Sequence, residues 1–258
     1  MSARDDIIRV AKSYIGTKAG SINHVDIIHI FNSVKPCGYT AKTSDPWCAE
    51  FVSACAIQAF GKKTAKAYFP LTAGCPTMIK LAKNLCIWEE NDAYIPTKGD
   101  WILYDWDDTG KGNNKNSPDH VGIVESVKSG TITVIEGNYS NSVKRRKIAV
   151  NGKYIRGYVL PKYEKIKSKI VLKTNEEIVK EVLSGEWGTG DQRKKALTNA
   201  GYDSVKIQKL VNKVVDLTAD TLNGKYGNGS ERVKKLGSYY DIVQWNINRL
   251  EKEKTNEV

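Results

Sequence analysis

The feature that most constrains the fold is an internal repeat in the last third of the chain. Residues 224–236, GKYGNGSERVKKL, repeat residues 185–197, GEWGTGDQRKKAL, with a tyrosine in place of the tryptophan. In each copy a helical pattern precedes the glycines, and a basic helix and a further helix follow them. A unit this small cannot bury its apolar face alone and has to pack against its neighbour. The sequence therefore predicts a small all-α domain of two three-helix repeats, at 176–214 and 215–252.

The glycines of each repeat predict a tight turn that leaves backbone amides, one aromatic side chain and one arginine accessible to a ligand. The candidate ligand-binding residues are Trp187, Asp191, Arg193, Tyr226 and Arg232. A guanidinium group suits the recognition of carboxylates. The alternative is structural: the aromatic rings would cap the bundle, and the arginines would bind helix-end carbonyl groups or acids. Two copies could gain affinity by avidity on a polymeric ligand.

The first part of the chain holds a cysteine in a position suited to a nucleophile. In the segment 44–52, SDPWCAEFV, Asp45 is the predicted N-cap and Pro46 the first helical residue, and the helix is predicted to run to about Phe60. Cys48 then lies in the first turn, where unpaired N–H groups and the helix dipole favour the reactive thiolate. The alternative is a small buried hydrophobic residue, which is the usual role of a free cysteine.

The chain has three histidines, and one of them has the surroundings of a catalytic base. His24 and His29 lie in a predicted helix, 22–34, where a packed or surface histidine is the ordinary interpretation. His120 instead begins a β-branched segment, HVGIVE, directly after a long polar loop, 105–119. His120 is therefore the candidate base.

A second predicted strand, 131–135, ends in Glu136-Gly137-Asn138, whose carboxylate and amide could hold the imidazole ring by its other nitrogen. Attack of a thiolate on a carbonyl needs a histidine that takes and returns the proton and a polar side chain that orients the histidine. The candidate catalytic residues are Cys48, His120, Glu136 and Asn138. Whether these side chains meet depends on the register of the two strands, which the sequence leaves open.

The order of these segments resembles the CHAP group of cysteine peptidoglycan hydrolases, relatives of the NlpC-type peptidases and of the papain-like fold. The resemblance covers roughly residues 1–162 and includes two flanking strand motifs, KGDWILY at 98–104 and IRGYV at 155–159. It implies an α+β papain-like catalytic domain in which N-terminal helices precede an antiparallel sheet. It also implies hydrolysis of an amide bond in bacterial peptidoglycan.

The same resemblance assigns roles to the candidate residues. Cys48 is expected to be the nucleophile, and His120 the general base and then the general acid. Glu136 is expected to orient His120, with Asn138 as an additional polar member. The backbone N–H of Cys48 and a second, unassigned donor would stabilise the oxyanion. The scissile bond stays open, since the family includes N-acetylmuramoyl-L-alanine amidases, stem-peptide endopeptidases and cross-bridge endopeptidases.

The C-terminal repeats resemble the CW-seven class of cell-wall-binding repeats over most of residues 174–250. This resemblance implies recognition of muropeptide rather than choline. The first copy is the closer match; in the second, Tyr226 replaces the tryptophan and Ser230 the acid, so whether that copy binds ligand is open. A lysine-rich segment, 163–175, is the predicted linker between the two domains.

The sequence favours neither a metal nor a cofactor. Some relatives carry a calcium loop ahead of the cysteine, but residues 37–45 contain a single acid. A second acidic cluster consists of Asp105, Asp107 and Asp108 with Gly110. It lacks the final bidentate acid of a calcium loop at Asn116, so a solvated loop beside the cleft is predicted. No spacing of cysteine and histidine suggests zinc.

The formal net charge of +11 is shared by both halves of the chain and favours a polyanionic partner. The teichoic acids of a Gram-positive wall fit this charge beside the peptidoglycan itself. Nucleic acid is the competing partner, but no nucleic-acid-binding motif is present, and the dense basic run at 144–147 is predicted to be a solvated turn. A catalytically inactive wall-binding protein is the other alternative. The presence of Cys48, His120 and Glu136 together counts against it.

Five cysteines without paired spacing suggest reduced thiols. The N-terminal residues lack the apolar core of a signal peptide, and no segment is long enough to span a membrane. These features predict a protein that is made in the cytoplasm, has no membrane partner and reaches the wall through a holin-type pore, as a phage or prophage endolysin does. The oligomeric state does not follow from the sequence.

Overall fold

The computed structural model describes residues 2–109, 116–166 and 173–256. The chain forms two compact units, one of residues 1–19 with 26–171 and one of residues 20–25 with 172–258. Within the described ranges, no helix has both the length and the apolar character needed to cross a membrane.

The elements up to residue 166 are helices followed by a sheet. The helices are α1 (Ala3–Ser13), α2 (Ile22–Asn32), α3 (Cys48–Phe60), α4 (Lys62–Tyr68) and α5 (Cys75–Asn84). The strands are β1 (Trp88–Glu89), β2 (Trp101–Tyr104), β3 (His120–Lys128), β4 (Thr131–Glu136), β5 (Lys144–Ala149) and β6 (Ile155–Val159). They pair antiparallel in the order β1-β6-β2-β3-β4-β5. The predicted α+β papain-like arrangement is confirmed.

The sheet has a buried cluster on each face, because successive side chains of a strand point to opposite sides. One face shares the main core with residues of the helices and contributes Trp101, Leu103, Val121, Ile123 and Ile135. The other face carries a second cluster that includes Ile102, Tyr104, Val124, Val134 and Tyr158. Strands β2 to β4 therefore form the centre of the sheet, where side chains are packed on both faces.

Helix α3 begins later than the sequence predicts. Its first residue is Cys48 and its N-cap is Trp47, so the predicted start at Asp45 and Pro46 is wrong. The Asp45 carboxylate instead accepts hydrogen bonds from the Lys42 N–H at 2.7 Å and the Tyr39 hydroxyl at 2.8 Å. These bonds close a turn ahead of the helix and leave no side-chain cap on it. The predicted end at Phe60 is confirmed.

The basic run at 144–147 is a strand, and the prediction of a solvated turn is wrong. These residues form most of β5, an edge strand that pairs with β4 from Thr131↔Ala149 to Glu136↔Lys144. Charged side chains suit an edge strand because they discourage pairing with another chain. Two of these charges also have partners, since Arg145 pairs with Glu125 and Arg146 with Glu136.

The second unit is built from helices α6 (Asn175–Leu183), α7 (Gly190–Asn199), α8 (Ser204–Leu222), α9 (Gly229–Leu236) and α10 (Tyr240–Asn256). The predicted all-α domain is confirmed, with one difference in how the copies join. The last helix of copy 1 and the first helix of copy 2 are the single helix α8. No glycine, proline or capping pattern interrupts the apolar spacing between Val214 and Leu217, so the helix continues.

The two copies also begin their last helices differently. In copy 1, Asp203 is the N-cap of α8 and accepts hydrogen bonds from the N–H groups of Val205 and Lys206 at 3.1 and 2.9 Å. In copy 2, a 3-10 turn, Gly237–Tyr239, leads directly into α10, so Tyr240 and Asp241, which correspond to Tyr202 and Asp203 of copy 1, are already helical. The shorter sequence of copy 2 leaves no room for a separate turn.

Part of the predicted linker, 163–175, packs into the first unit. Tyr163 and Ile166 are buried in the main core, and the Tyr163 hydroxyl donates a hydrogen bond to the Gly99 carbonyl at 2.7 Å. The Tyr163 ring lies edge-on to those of Phe60 and Phe69, with centroids 6.1 and 5.7 Å away. Residues 167–172 of the predicted linker lie outside the described residues.

We predict that a fragment of residues 1–166 is more stable than a fragment of residues 1–162. Loss of the buried Tyr163 ring should lower the free energy of unfolding by about 3 kcal/mol or more, as for other large buried aromatic residues. Urea unfolding followed by tryptophan fluorescence measures the difference. Tyr163→Phe in the longer fragment is the control and should cost only about 1 kcal/mol, since it removes one hydrogen bond. Equal unfolding midpoints for the two fragments would contradict the prediction.

Candidate active site

The start of α3, the start of β3 and the end of β4 meet at one place. The register of β3 and β4 pairs Ile123 with Ile135, so the start of β3 lies next to the end of β4. His120 Nε2 lies 3.1 Å from Glu136 Oε2. The Cys48 thiol group lies near enough to the imidazole for His120 to lower its pKa. Because Nε2 faces the carboxylate, Nδ1 is the nitrogen available to the sulfur. The structure thus brings three of the four candidate catalytic residues together.

Glycines at two positions permit this close approach. A Cβ atom on Gly137 would lie 2.4 Å from the Cβ of Phe51 in α3, so the helix packs directly on the backbone that follows Glu136. A Cβ atom on Gly122 in β3 would lie 2.7 Å from Cγ of Glu136. Both distances are shorter than any ordinary carbon contact. Larger residues at either position would displace α3 or the Glu136 side chain.

Glu136 is fully buried and is held between His120 and Arg146. Arg146 Nε lies 2.7 Å from Oε1 and 3.0 Å from Oε2 of the carboxylate. Burial alone would raise the pKa of Glu136, but the hydrogen bonds and charges of His120 and Arg146 outweigh it and lower that pKa. Glu136 therefore stays ionised and can stabilise a positive charge on His120.

Cys48 and His120 favour their charged forms. A hydrogen bond from the Cys75 thiol, whose sulfur lies 4.0 Å away, lowers the pKa of Cys48 well below its usual range; burial opposes this effect and the His120 contact reinforces it. Burial would lower the pKa of His120, but Cys48 and Glu136 together raise it to about 9. Both shifts favour a thiolate–imidazolium pair over a neutral thiol and imidazole.

Glu50 lies two residues after the nucleophile and is also buried. Burial, with a contribution from the nearby charge of Cys48, raises the pKa of Glu50 to about 8. Its Oε2 has no hydrogen-bond partner among the described residues. Glu50 is thus mostly protonated at neutral pH and does not repel the neighbouring thiolate.

Asn138 lines the same site but does not orient His120. It has a left-handed backbone conformation, with φ 58°, and borders a cavity of about 230 Å³. The other residues that line this cavity are Trp106, His120, Tyr139, Ser140 and Arg146. Within the described residues, the Asn138 side chain makes no hydrogen bond to the imidazole. Glu136 supplies the hydrogen bond that orients His120 among the described residues, and the role expected for Asn138 stays a prediction.

Three functional side chains escape the sequence analysis. Glu50 could have been noticed as an acid on the apolar side of a predicted helix. Arg146 could have been found from the alternation of residues in 144–149, had the run been assigned to a strand. Cys75 has no local signal, because helices α3 and α4 separate it from Cys48 along the chain and the two sulfur atoms meet only in the folded structure.

The repeat residues divide between structural and exposed roles. Trp187 packs against the helical core, its Nε1 donates to Glu181 Oε2 at 2.9 Å, and its ring lies edge-on to Tyr202. Tyr226 is the equivalent in copy 2, where its hydroxyl donates to Asp220 Oδ2 at 3.3 Å. These contacts favour the capping interpretation of the two aromatic residues.

The repeat arginines hold the glycine turns. Arg193 donates from Nε and Nη2 to the Gly188 carbonyl at 2.9 and 2.7 Å, and Arg232 donates from Nε to the Gly227 carbonyl at 2.9 Å. Glycine suits the turn positions 188 and 227 because the backbone has a positive φ there, 65° and 66°. Each arginine therefore closes the loop of its own copy.

A groove between α7 and α8 is the candidate ligand site of copy 1. It has a volume of about 430 Å³, and its lining includes Asp191, Arg193, Gln208 and Asn212. Asp191 lies in the exposed first turn of α7, and Arg193 Nη1 lies 3.3 Å from Gln208 Oε1. Trp187 does not line the groove. Of the five candidate wall-binding residues, Asp191 and Arg193 are thus the two that this groove brings together.

The acidic loop after β2 is organised by its own backbone. Asp105 accepts a hydrogen bond from the Asp107 N–H at 3.0 Å, and Asp119 accepts one from the Trp106 N–H at 2.8 Å. Gly110, which completed the predicted calcium-like pattern, lies outside the described residues. Over the described ranges, no three histidine, cysteine, aspartate or glutamate side chains group as metal ligands.

Comparison with known families agrees with this geometry. Residues 39–138, which contain all four candidate catalytic residues, match the CHAP domain. Residues 176–215 and 216–250 each match the CW_7 repeat. The chain therefore contains a CHAP domain and two C-terminal CW_7 repeats, which indicates a peptidoglycan-hydrolysing amidase or peptidase with cell-wall-binding repeats. Comparisons with the curated proteins and with the solved structures gave no match.

We predict that Cys48 is alkylated rapidly by iodoacetamide at pH 6 and that His120→Ala slows this reaction at least about tenfold. The pKa of Cys48 is lowered partly by His120, so loss of the imidazolium returns the group toward the thiol, and one pKa unit is a tenfold change in thiolate. The rate is measured from pH 4 to 10 by mass spectrometry of the Cys48 peptide. The exposed Cys37 and Cys86 are replaced by serine in both proteins. Identical pH profiles with and without His120 would refute the ion pair.

Proposed function

We propose that this chain, in which a CHAP domain precedes two CW_7 repeats, is an endolysin that hydrolyses an amide bond of bacterial peptidoglycan with Cys48 as its nucleophile. The observation that carries this proposal is the grouping of Cys48, at the first position of α3, with His120 and the buried Glu136, whose carboxylate lies 3.1 Å from the imidazole. A structural cysteine would gain nothing from an imidazolium and a carboxylate arranged behind it, whereas a catalytic thiolate requires both.

In the first half of the reaction the Cys48 thiolate attacks the carbonyl carbon of the amide. The backbone N–H of Cys48, at the first position of α3, points from the positive end of the helix and suits the developing oxyanion. His120 then gives its proton to the amide nitrogen, which leaves as an amine, and a thioester remains on Cys48. Glu136 holds the ring in place and stabilises its positive charge before the transfer.

In the second half, water attacks the thioester. Neutral His120 takes a proton from the water, the carboxylic acid product leaves, and the thiolate and imidazolium are restored. The same steps serve an N-acetylmuramoyl-L-alanine amidase and a stem-peptide or cross-bridge endopeptidase, because all three cut an amide. The arrangement of Cys48, His120 and Glu136 supports the chemistry without selecting the bond.

The CW_7 repeats are proposed to hold the enzyme on the peptidoglycan of a Gram-positive wall. The groove between α7 and α8 supports muropeptide binding, since it offers the Asp191 carboxylate and the side-chain amides of Gln208 and Asn212. The net charge of +11 adds attraction to wall teichoic acids. Two copies on one chain raise the residence time on a polymer even when each binds weakly.

As an endolysin, the protein is made in the cytoplasm and reaches the wall after release through a holin-type pore. A reducing compartment suits this site, because the sulfur atoms of Cys48 and Cys75 lie only 4.0 Å apart. In an oxidising compartment the thiolate form of Cys48 would make the pair prone to oxidation.

We predict that purified teichoic-acid-free sacculi are digested by the wild type and that Cys48→Ser lowers the rate at least ~1000-fold. Loss of the nucleophile removes the covalent step, whereas Cys37→Ser, at an exposed cysteine outside the site, should keep full activity. Mass spectrometry of the released fragments identifies the new termini and so distinguishes an amidase from an endopeptidase. Sedimentation with the sacculi and no release by any of the three proteins would favour an inactive wall-binding protein.

We predict that Asp191→Asn weakens binding of a soluble muropeptide at least about threefold and leaves thermal unfolding unchanged. The carboxylate is exposed on the groove, so its charge contributes to recognition but not to packing. Isothermal titration measures the affinity in the Cys48→Ser background, where the ligand is not cut. Glu186→Gln, an exposed residue outside the groove with the same change in charge, is the matched control. Equal losses in both variants would point to general electrostatics instead of this groove.

A further inference from the structure

Arg146 contacts the active site in two ways, and only one of them supports Glu136. Its Nε holds the carboxylate of Glu136. The same side chain borders the 230 Å³ cavity beside His120 and is 23% exposed. A guanidinium group has five N–H donors, and four of them belong to its two terminal amino groups. Within the described residues, neither terminal amino group donates a hydrogen bond.

Three aromatic rings lie close to this guanidinium. Its Cζ lies 4.1 Å from the centre of the Tyr139 ring, 4.8 Å from that of Trp106 and 5.6 Å from that of Tyr104. Cation–π contacts of this kind, together with the bond from Nε to Glu136, restrict the movement of the guanidinium beside the cavity. The planar pair of terminal amino groups matches the geometry of a carboxylate.

The charge of the cavity also favours an anion. Its six lining residues include Arg146 and His120 and no acid. Glu136 is fully buried behind these two side chains, so its charge is not presented to the cavity. A further cation lies nearby, since Lys144 Nζ is 5.6 Å from the centre of the Tyr139 ring. A negatively charged group of a ligand would therefore meet the Arg146 guanidinium and His120 there and no acid among the lining residues.

We propose, on the basis of the hydrolase function above, that Arg146 is a specificity-determining residue that binds a free carboxylate of the peptidoglycan peptide next to the scissile amide. The carboxylate accepts hydrogen bonds from the terminal amino groups of Arg146 while Nε continues to hold Glu136. Substrate recognition and the orientation of His120 then depend on one side chain. Peptidoglycan peptides whose carboxylates are converted to carboxamides are poorer substrates, since a carboxamide presents an N–H group and no charge to the same donors.

The test compares two forms of one substrate. Teichoic-acid-free sacculi with free peptide carboxylates are digested before and after carbodiimide coupling with ammonia, which amidates those carboxylates. A muramidase, which cuts the glycan, normalises for any change in accessibility. We expect the wild type to digest the amidated sacculi at least about tenfold more slowly than the untreated ones. For Arg146→Gln, the ratio of the two rates should fall to about one.

The ratio of the two digestion rates distinguishes recognition of the carboxylate from positioning of His120. A loss of support for Glu136 lowers the digestion rates of both substrates equally and leaves their ratio unchanged. Arg145→Gln is the matched control: Arg145 is the neighbouring residue of β5, has its own carboxylate partner in Glu125 and does not line the cavity. It should keep the wild-type ratio. If Arg146→Gln is too slow to assay, Arg146→Lys keeps the positive charge without the planar donors and should also lose most of the selectivity.

Two results would overturn the inference and leave the hydrolase function intact: equal digestion of both sacculi by the wild type, or an unchanged ratio in the Arg146 variants. Failure of the wild type to digest either form, while the muramidase digests both, would overturn the proposed function and this inference together.

Discussion

The buried carboxylate of Glu136 is the group on which the active site depends. A fully buried acid is costly unless its charge is compensated, and here His120 and Arg146 provide that compensation. The group on one side of Glu136 is His120, the candidate catalytic base, so one interaction both compensates the charge of Glu136 and orients the imidazole ring. Since the His120 charge also helps to stabilise the Cys48 thiolate, the loss of one member would change the ionisation of the others.

The fold satisfies this requirement through close backbone approaches. Cys48 comes from a helix, His120 and Glu136 from two strands, and Arg146 from the edge strand beside them. Bringing a helix this near to a sheet leaves no space for a side chain at Gly137, just as the Glu136 side chain leaves none at Gly122. The glycines of the HVGIV and EGN motifs are therefore explained by packing around the Glu136 carboxylate and its backbone.

Local signals in the sequence are sufficient for Cys48 and His120, since a helix start and a strand start can be recognised from neighbouring residues. The orientation of His120 by Glu136 needed the strand register, which depends on how the core packs and not on any local pattern. The run at 144–147 predicts a turn because four consecutive cations resemble a solvated segment, whereas ion pairs with Glu125 and Glu136 make these residues compatible with an edge strand. The repeat predicts a boundary between two helices where the chain forms the single helix α8.

The arginines of the repeats illustrate how the same residue type can be structural in one site and available in another. Arg193 donates through Nε and Nη2 to a loop carbonyl and through Nη1 to Gln208, so each of its nitrogens has a partner within its own repeat. Arg146, among the described residues, donates only from Nε, and its side chain borders a cavity. An arginine bound to loop carbonyls fixes the shape of a groove, and the proposed ligand contacts there would be made by neighbours such as Asp191. An arginine held by a buried acid and aromatic rings is already ordered, so it can bind a second carboxylate with little further loss of conformational entropy.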